Sequence, residues 1–345
     1  MSPATWPREA PLRERLLVVD PRCDCAVDRT VGDLASFVRA GDLLVVNDAA
    51  TLPASLQGLT GMGEPVEARL LASRDGTWRA VLFGAGDWRT RTEDRPAPAV
   101  VREGDVLTFG GDLQARVSSV SAASARVIAL RFEGDPDHFW SALYRHGRPI
   151  QYAYVAAPLA LWHVQTPFAS RPWSSEMPSA ARPLAWELVL ALRAKGASFA
   201  SITHAAGLSS TGDAVVDAAL PMRESYDVPV ETAAAIAATR ARGGRVIAVG
   251  TTVVRALESA ALQGGGTVVA GSRDTDLVVG SGHALRVVDA IFTGMHEPGT
   301  SHDTLLQAFA PQDLLLRAFQ GAQQRGFVGH EFGDSMLVGQ GILAA

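Results

Sequence analysis

The chain has 345 residues, 47% of them hydrophobic, which is enough for one large or two ordinary domains with a sizeable core. Its formal net charge of −5 excludes a strong overall basic field for nucleic acid, although a local basic patch stays open. Residues 1–15 lack the apolar core of a signal peptide, and no run of about 18 uncharged apolar residues exists, so we expect a cytoplasmic protein without a membrane span.

Both cysteines stand in one short stretch, Cys23-Asp24-Cys25. This spacing is tight for a disulfide, and the chain has no other cysteine to pair with. Two cysteines are also too few for a structural zinc site. The sequence therefore predicts two free thiols.

The first 56 residues have a mixed α/β pattern. We expect residues 1–15 to be poorly ordered, a short strand at 16–20, a helix at 31–40 and a buried strand at 43–47. The last of these ends in the polar pair Asn47-Asp48. Polar side chains at the end of a buried strand often face a site, although an Asx turn that simply ends the strand is the alternative.

Residues 57–133 have a different pattern, made of short β-type runs with turn signals between them. The runs lie at 66–72, 77–83, 105–109, 114–120 and 126–132. Several short strands at this spacing, without helical periodicity, predict a small barrel or sandwich. The charged, proline-bearing segment 89–98 is expected to be an exposed loop.

From residue 134 onward, helical and strand patterns alternate again. Helices are predicted at 135–147, 182–195, 229–242, 304–309 and 313–324, and strands at 197–203, 245–249, 276–279 and 285–289. The simplest architecture is a mixed α/β domain, residues 1–56 plus 134–345, that carries an inserted all-β barrel domain, residues 57–133.

The chain is organised around the stretch 244–260, where a buried strand meets a helix at Gly250-Thr251-Thr252. Gly250 permits a sharp turn, and either threonine could cap the helix. Backbone N–H groups at such a helix start suit an anion or a polar ligand group. Arg255 lies one turn into the helix, so we expect a negative partner, either Glu258 or a bound carboxylate. An ordinary strand–turn–helix is the alternative.

Histidines supply further candidates for chemistry. His204 ends a predicted strand, and His296 lies in a loop after the strand that ends at Asp289. No two histidines have ligand spacing on one helix, so we expect no metal. No P-loop and no Gly-x-Ser-x-Gly is present. From the residues alone, the sequence indicates an enzyme-like α/β protein without defining a reaction.

Several collinear motifs together resemble one family, the S-adenosylmethionine:tRNA ribosyltransferase-isomerases of queuosine biosynthesis. The motifs that carry the resemblance are Leu44-Val45-Val46-Asn47-Asp48, Gln165-Thr166, Pro178-Ser179-Ala180-Ala181, the run from Val249 to Ser259, Thr275-Asp276-Leu277, Val288-Asp289-Ala290, His296-x-Pro298 and Gly333-Asp334-Ser335-Met336-Leu337.

The resemblance implies an α/β domain with an inserted β-barrel. It also implies transfer of the ribosyl part of S-adenosylmethionine to 7-aminomethyl-7-deazaguanine in tRNA, with isomerisation to an epoxycyclopentane and release of adenine and methionine. Such chemistry needs a base near the sulfonium, a polar wall for the ribose and an adenine pocket, and it needs no metal.

Several family positions differ in this chain. Family histidines are absent at Ala181-Arg182-Pro183 and at Met222-Arg223-Glu224, and the family's lysine after His296-x-Pro298 is absent. The family's glycine-rich segment is altered at 204–210. Arg182 and Arg223 could partly replace the missing groups. The acceptor therefore stays open between tRNA and a small deazapurine or nucleoside, with a non-catalytic S-adenosylmethionine-binding protein as the third alternative.

The expected site combines these residues. A monomer or a weak dimer is expected. For each residue the alternative is a purely structural role. We predict S-adenosylmethionine contacts from Gly250, Thr251, Thr252, Arg255, Asn47 and Asp48. We predict catalytic roles for His296, Asp289 and Glu224. We predict acceptor or ribose contacts from Gln165, Thr166, Ser179, His204, Arg182 and Arg223.

Overall fold

The computed structural model describes residues 1–343 except Ser209, Ala219 and Pro221, so Ser209 of the altered segment 204–210 lies outside the described residues. The strands are β1 (Arg15–Asp20), β2 (Cys25–Thr30), β3 (Leu43–Asn47), β4 (Ala49–Thr51), β5 (Ser55–Thr60), β6 (Pro65–Arg74), β7 (Thr77–Phe83), β8 (Val106–Phe109), β9 (Leu113–Val120), β10 (Val127–Phe132), β11 (Arg171–Ser174), β12 (Ser198–His204), β13 (Glu224–Val228), β14 (Val246–Val249), β15 (Gly271–Thr275), β16 (Ala290–Gly294) and β17 (Ser335–Gly339). The α-helices are α1 (Pro136–His146), α2 (Trp186–Ala194), α3 (Ala214–Asp217), α4 (Val230–Ala241), α5 (Thr251–Gln263), α6 (Ser301–Leu306) and α7 (Gln312–Gln324).

A closed antiparallel barrel is formed by strands β5 to β10, in the order β10-β7-β6-β5-β8-β9. Buried and outward positions alternate in β9, which is the pattern of a strand with one face toward a core. The barrel strands predicted within 66–132 are confirmed, whereas β5 was missed. Phe139 and Leu143 of α1 pack into the barrel core, although the predicted boundary assigns them to the α/β part.

Outside the barrel, the described strands build a mixed sheet with the order β15-β13-β12-β3-β14-β16-β17-β1-β2 and a separate two-stranded sheet of β11 and β4. All five residues of β3 and all four of β14 are buried, because helices and loops cover both faces of the sheet. Core clusters lie on each face. The mixed α/β fold with an inserted barrel is therefore confirmed.

The orientation of the central strands decides where a site can form. β12, β3, β14 and β16 are mutually parallel neighbours. Their carboxyl ends therefore meet at one edge of the sheet, and there lie Asn47, His204, Gly250 and the loop after Gly294. In open α/β sheets ligands bind at this edge.

Two predictions about the amino-terminal part were wrong. Residues 1–15 are ordered, because Ala4 is buried with its N–H bonded to the Gly329 carbonyl, and Arg8 pairs with Asp334 at 2.8 Å. Cys23 and Cys25 form a disulfide rather than two free thiols. Asp24 between them has a positive φ of 50°, and this tight turn brings the two Cα atoms to 5.3 Å.

Other predicted elements were shifted or absent. The strands expected at 276–279 and 285–289 do not form, since β15 ends at Thr275 and β16 begins at Ala290. The helix expected from 182 begins at Trp186. The segment 89–98 is not fully exposed, because Arg95 is buried in an ion pair with Glu67. No described helix combines the length and apolar character that crossing a membrane requires.

Candidate active site

A glycine turn joins β14 to α5 at the carboxyl edge of the sheet. Gly250 has φ 98°, and its N–H donates to the Phe292 carbonyl at 2.8 Å. A Cβ at this position would lie 3.2 Å from the Cβ of Ala180, so the turn also needs the small residue. Gly250 is the residue that precedes the helix, and no side chain among the described residues caps it. The predicted capping by Thr251 or Thr252 was wrong. The N–H groups of the first turn of α5 therefore lie uncapped at the carboxyl edge of the sheet.

Arg255 is held by Glu224 from the neighbouring strand β13. Arg255 is 6% exposed, its Nε donates to the Leu277 carbonyl at 3.0 Å, and its Nη1 pairs with Glu224 Oε2. The second oxygen of Glu224 accepts the N–H of Gly207 at 2.7 Å. In the described part of the chain, the buried Nη2 of Arg255 has no hydrogen-bond partner. Such a donor is suited to a polar ligand group.

Of the two partners predicted for Arg255, Glu258 or a bound carboxylate, Glu258 is excluded by its position in the structure. Glu258 is completely buried and accepts the backbone N–H groups of residues 286, 287 and 288 at 2.9, 3.0 and 3.1 Å. Glu258 therefore anchors the segment before β16 to α5. The charge of Arg255 is balanced by Glu224, the first residue of β13.

His204 lies beside this ion pair with no exposed surface. Its Nε2 is 3.4 Å from Glu224 Oε2, and neither ring nitrogen finds a hydrogen-bond partner within the described residues. Burial lowers the pKa of His204 to about 4, although Glu224 acts in the opposite direction. The imidazole is therefore neutral near pH 7 and keeps a lone pair available.

Two further histidines complete the cluster. His296 is within 2.8 Å of Thr293 Oγ1 through its Nε2, and its ring centroid is 4.7 Å from that of His302. Desolvation lowers the pKa of both histidines, and the charges of Glu224 and Arg255 also act on His302. His302 is nevertheless exposed to solvent. The cluster thus joins a carboxylate and a guanidinium to three histidines whose pKa is lowered.

His302 was missed by the sequence reasoning. It is the second residue of α6, whose preceding residue Thr300 caps the helix by accepting the N–H of Asp303 at 3.2 Å. A second histidine at the start of a capped helix, directly after the His296-Glu297-Pro298 loop, is the signal that could have indicated it.

Asn47 ties the ends of three elements together. Its Oδ1 accepts the N–H of His204 at 3.0 Å, and its Nδ2 donates to the His204 carbonyl at 3.0 Å and to Thr252 Oγ1 at 3.3 Å. It fixes β3, β12 and α5 relative to one another, and with them the position of His204.

Other predicted site residues are occupied elsewhere. Asp48 accepts a hydrogen bond from the hydroxyl of Thr203 at 2.7 Å. Thr203 directly precedes His204 on β12, so the side chains of Thr203 and His204 lie on opposite faces of the sheet, and Asp48 lies on the face of Thr203. Gln165 exchanges two hydrogen bonds with the backbone of Thr51, at 3.0 and 2.9 Å. Thr166 accepts the N–H of residue 168 at 3.3 Å. The structure does not bring these three side chains to the cluster.

The remaining predicted residues differ in their distance from the cluster. Ser179 begins a short 3₁₀ helix, Ser179–Ala181, which lies next to Gly250 through Ala180. Arg182 pairs with buried Glu14, and Arg223 is exposed and pairs with Asp274 at 3.1 Å. Asp289 accepts the N–H of Val246 at 2.8 Å, which places it at the amino end of β14, at the opposite edge from Gly250.

The chemistry of the cluster is acid–base chemistry and recognition of charge. In the part of the chain that the structure describes, no group of three or more histidine, cysteine or carboxylate residues has the arrangement of a metal site. The fold and the site define a class, namely an α/β enzyme with an inserted barrel and with an acid–base cluster at the carboxyl edge of its sheet.

Comparison with known proteins gives the family. The family model described as "Queuosine biosynthesis protein" matches residues 2–338, and the chain belongs to this family. The resemblance inferred from the motifs is thereby confirmed.

Similar proteins cover nearly the whole chain. A protein named S-adenosylmethionine:tRNA ribosyltransferase-isomerase from Anaeromyxobacter sp. (strain Fw109-5) is 37% identical over 340 residues, which cover 96% of this chain and 93% of that protein. A protein of the same name from Gloeobacter violaceus is 35% identical over 339 residues and covers 97% and 92%. The crystal structure of S-adenosylmethionine tRNA ribosyltransferase from Thermotoga maritima is similar with a TM-score of 0.53 and 25% identity, and covers 97% and 95%.

Proposed function

We propose that this chain is an S-adenosylmethionine:tRNA ribosyltransferase-isomerase. It transfers and isomerises the ribosyl part of S-adenosylmethionine on 7-aminomethyl-7-deazaguanine in tRNA, forming epoxyqueuosine and releasing adenine and methionine. The observation that carries this proposal is the similarity to relatives of that name along more than nine-tenths of both chains. Neither the small-acceptor alternative nor the non-catalytic alternative gains support from the described residues.

The unpartnered polar atoms of the site fit S-adenosylmethionine as a substrate. The uncapped first turn of α5 and the buried Nη2 of Arg255 are donors aimed at the same edge, and they suit the carboxylate or the ribose oxygens of the substrate. Glu224 contributes negative charge next to them, which suits a sulfonium cation. Both oxygens of Glu224 are already engaged, so we assign it a positioning role toward Arg255.

S-adenosylmethionine supplies a cationic sulfur that acidifies the neighbouring C–H bonds and is a good leaving group. The protein's part is to accept a proton near that sulfur, and a neutral imidazole can do so. We assign this role to His302, because it is the most exposed of the three histidines, whereas His296 is half-buried and His204 is buried, and a proton on His302 can be passed to solvent. His296 and the buried His204 shape the wall behind it.

The test is adenine release measured by chromatography after incubation with S-adenosylmethionine. We expect adenine with precursor tRNA and none with the free deazapurine or its nucleoside. The variant Arg317→Ala, which removes an exposed surface arginine on α7 outside the site, should release adenine like the parent protein. Adenine formed only with the small acceptor, or binding without adenine from any acceptor, would contradict the proposal.

A further inference from the structure

A cavity of about 510 Å³ lies between the barrel and the large sheet, and the mechanism above does not use it. This volume is in the range of ligand sites. Its aromatic walls come from different parts of the chain, namely Trp78 of β7, Phe132 of β10, Phe139 and Trp140 of α1, and Trp173 of β11.

The barrel side of the cavity is a connected set of rings. Phe139 lies 4.7 Å from Phe132, 5.2 Å from Trp140 and 5.4 Å from Trp78, measured between ring centroids. Trp173 lines the cavity from β11, which pairs with β4 in a separate two-stranded sheet, and it is only half-buried. The cavity therefore presents aromatic surface from two separate elements, which is the composition of a site for a flat ring.

The charged side chains that line this cavity are Arg131 and Asp135, and Asp135 is engaged as the cap of α1, where it accepts the N–H of His138 at 2.8 Å. Among the described residues, the only side-chain hydrogen bond of Arg131 is to Thr77 Oγ1, at 3.3 Å, with no carboxylate in an ion pair. The guanidinium of Arg171 lies 4.2 Å from the ring centroid of Trp173 and pairs with Asp227 at 3.0 Å, so it is not free for a phosphate. The guanidinium of Arg131, next to the aromatic surface, provides a contact for a phosphate beside a contact for a base.

The position of the cavity links it to the cluster. Ala205 and Ser225 line the cavity, and each directly follows a member of the cluster, His204 or Glu224. The N–H of Ala205 bonds to the Ser225 carbonyl at 2.9 Å, so the two sites flank the same strand ends. An RNA that presents one nucleotide to the cluster therefore has its neighbouring nucleotides near this cavity.

We propose that the cavity binds an unstacked nucleobase of the tRNA substrate, next to the nucleotide that is modified. The inference rests on the proposed function. Sequence-specific RNA recognition targets single-stranded loops whose bases are splayed out onto aromatic side chains, and this cavity offers such a surface. The base stacks on Trp173 or on the barrel rings, and Arg131 contacts the adjoining phosphate.

The test compares KM for precursor tRNA with KM for S-adenosylmethionine in Trp173→Ala, Trp173→Phe and Trp162→Ala. Trp162 is the matched control, because it is 76% exposed and does not line the cavity. We expect Trp173→Ala to raise KM for tRNA by roughly 5- to 150-fold and to leave KM for S-adenosylmethionine unchanged. Trp173→Phe should restore most of the loss, and Trp162→Ala should behave like the parent protein.

A second variant fills the cavity instead of removing a ring. Ala72 lines it at the barrel side, and Ala72→Trp should raise KM for tRNA in the same way. Unchanged KM for tRNA in both variants, or an equal rise in both KM values, would overturn the proposal. Binding of tRNA measured by fluorescence anisotropy separates the proposed enzymatic function from the proposed nucleobase cavity. A parent protein without turnover whose tRNA affinity still depends on Trp173 would refute the proposed function and support the cavity.

Discussion

Replacing Arg255 by methionine tests the centre of the site. The variant keeps most of the apolar stem and removes the guanidinium, whose Nε and Nη1 bond to the Leu277 carbonyl and to Glu224. Breaking a buried ion pair by removing one partner costs about 3–5 kcal/mol of stability, because the other charge is left unpaired. If Nη2 also contacts S-adenosylmethionine, the loss of one charge-assisted hydrogen bond costs about 1.5–3 kcal/mol of binding, or roughly a 10- to 150-fold rise in Kd.

Two measurements separate these effects. Urea denaturation gives the free energy of unfolding, and calorimetry gives Kd for S-adenosylmethionine. The double variant Arg255→Met/Glu224→Gln removes both charges, so it should regain part of the stability without regaining affinity. Arg317→Ala, which removes exposed pairs with Asp313 and Asp24, should leave both the free energy of unfolding and Kd close to those of the parent protein. A folded Arg255→Met protein with the Kd of the parent would refute the role of Arg255 in binding.

Three further predictions follow from the same site. The folded-state pKa of His204, about 4, is below its unfolded value of about 6.5, so His204 alone should lower the free energy of unfolding by roughly 3 kcal/mol as pH drops through this interval, and His204→Gln should reduce that slope. Gly250→Ala should cost about 1–3 kcal/mol in urea denaturation, because φ is 98° and Ala180 is close. His302→Ala should lower kcat for adenine release roughly 10²- to 10⁴-fold while Kd for S-adenosylmethionine stays the same.

Each of the three predictions, for His204, Gly250 and His302, can be checked against a control or a contradicting result. Gly243 also has a positive φ, 73°, but a Cβ there would meet open space, so Gly243→Ala should cost less than Gly250→Ala. Equal costs would mean that the contact with Ala180 has no importance. His138→Ala, on the barrel helix α1, should keep full kcat. The role of His302 as a base is wrong if its variant retains kcat, and an unchanged pH slope in His204→Gln would remove His204 as its source.

Much of the fold could be predicted from local patterns. Alternating residues and turn signals indicated barrel strands such as β7 and β9, and uninterrupted apolar runs indicated β3 and β14, because strand periodicity and turn chemistry are properties of a few consecutive residues. The strand–turn–helix at Gly250 was evident for the same reason. Element ends were less predictable, since the start of α2 at Trp186 depends on the preceding 3₁₀ turn.

By itself, the sequence determined the family, the α/β architecture with its inserted barrel, and the glycine turn at the start of α5, because each depends on short-range patterns in a fixed order. Only the tertiary structure decided that Arg255 pairs with Glu224 rather than with Glu258, that His302 joins the cluster, and that Asp289 lies at the opposite edge. Those outcomes depend on which strands become neighbours and in which direction they run. Glu224 and Arg255, which are 31 positions apart along the chain, meet only because α5 packs against the sheet that contains β13.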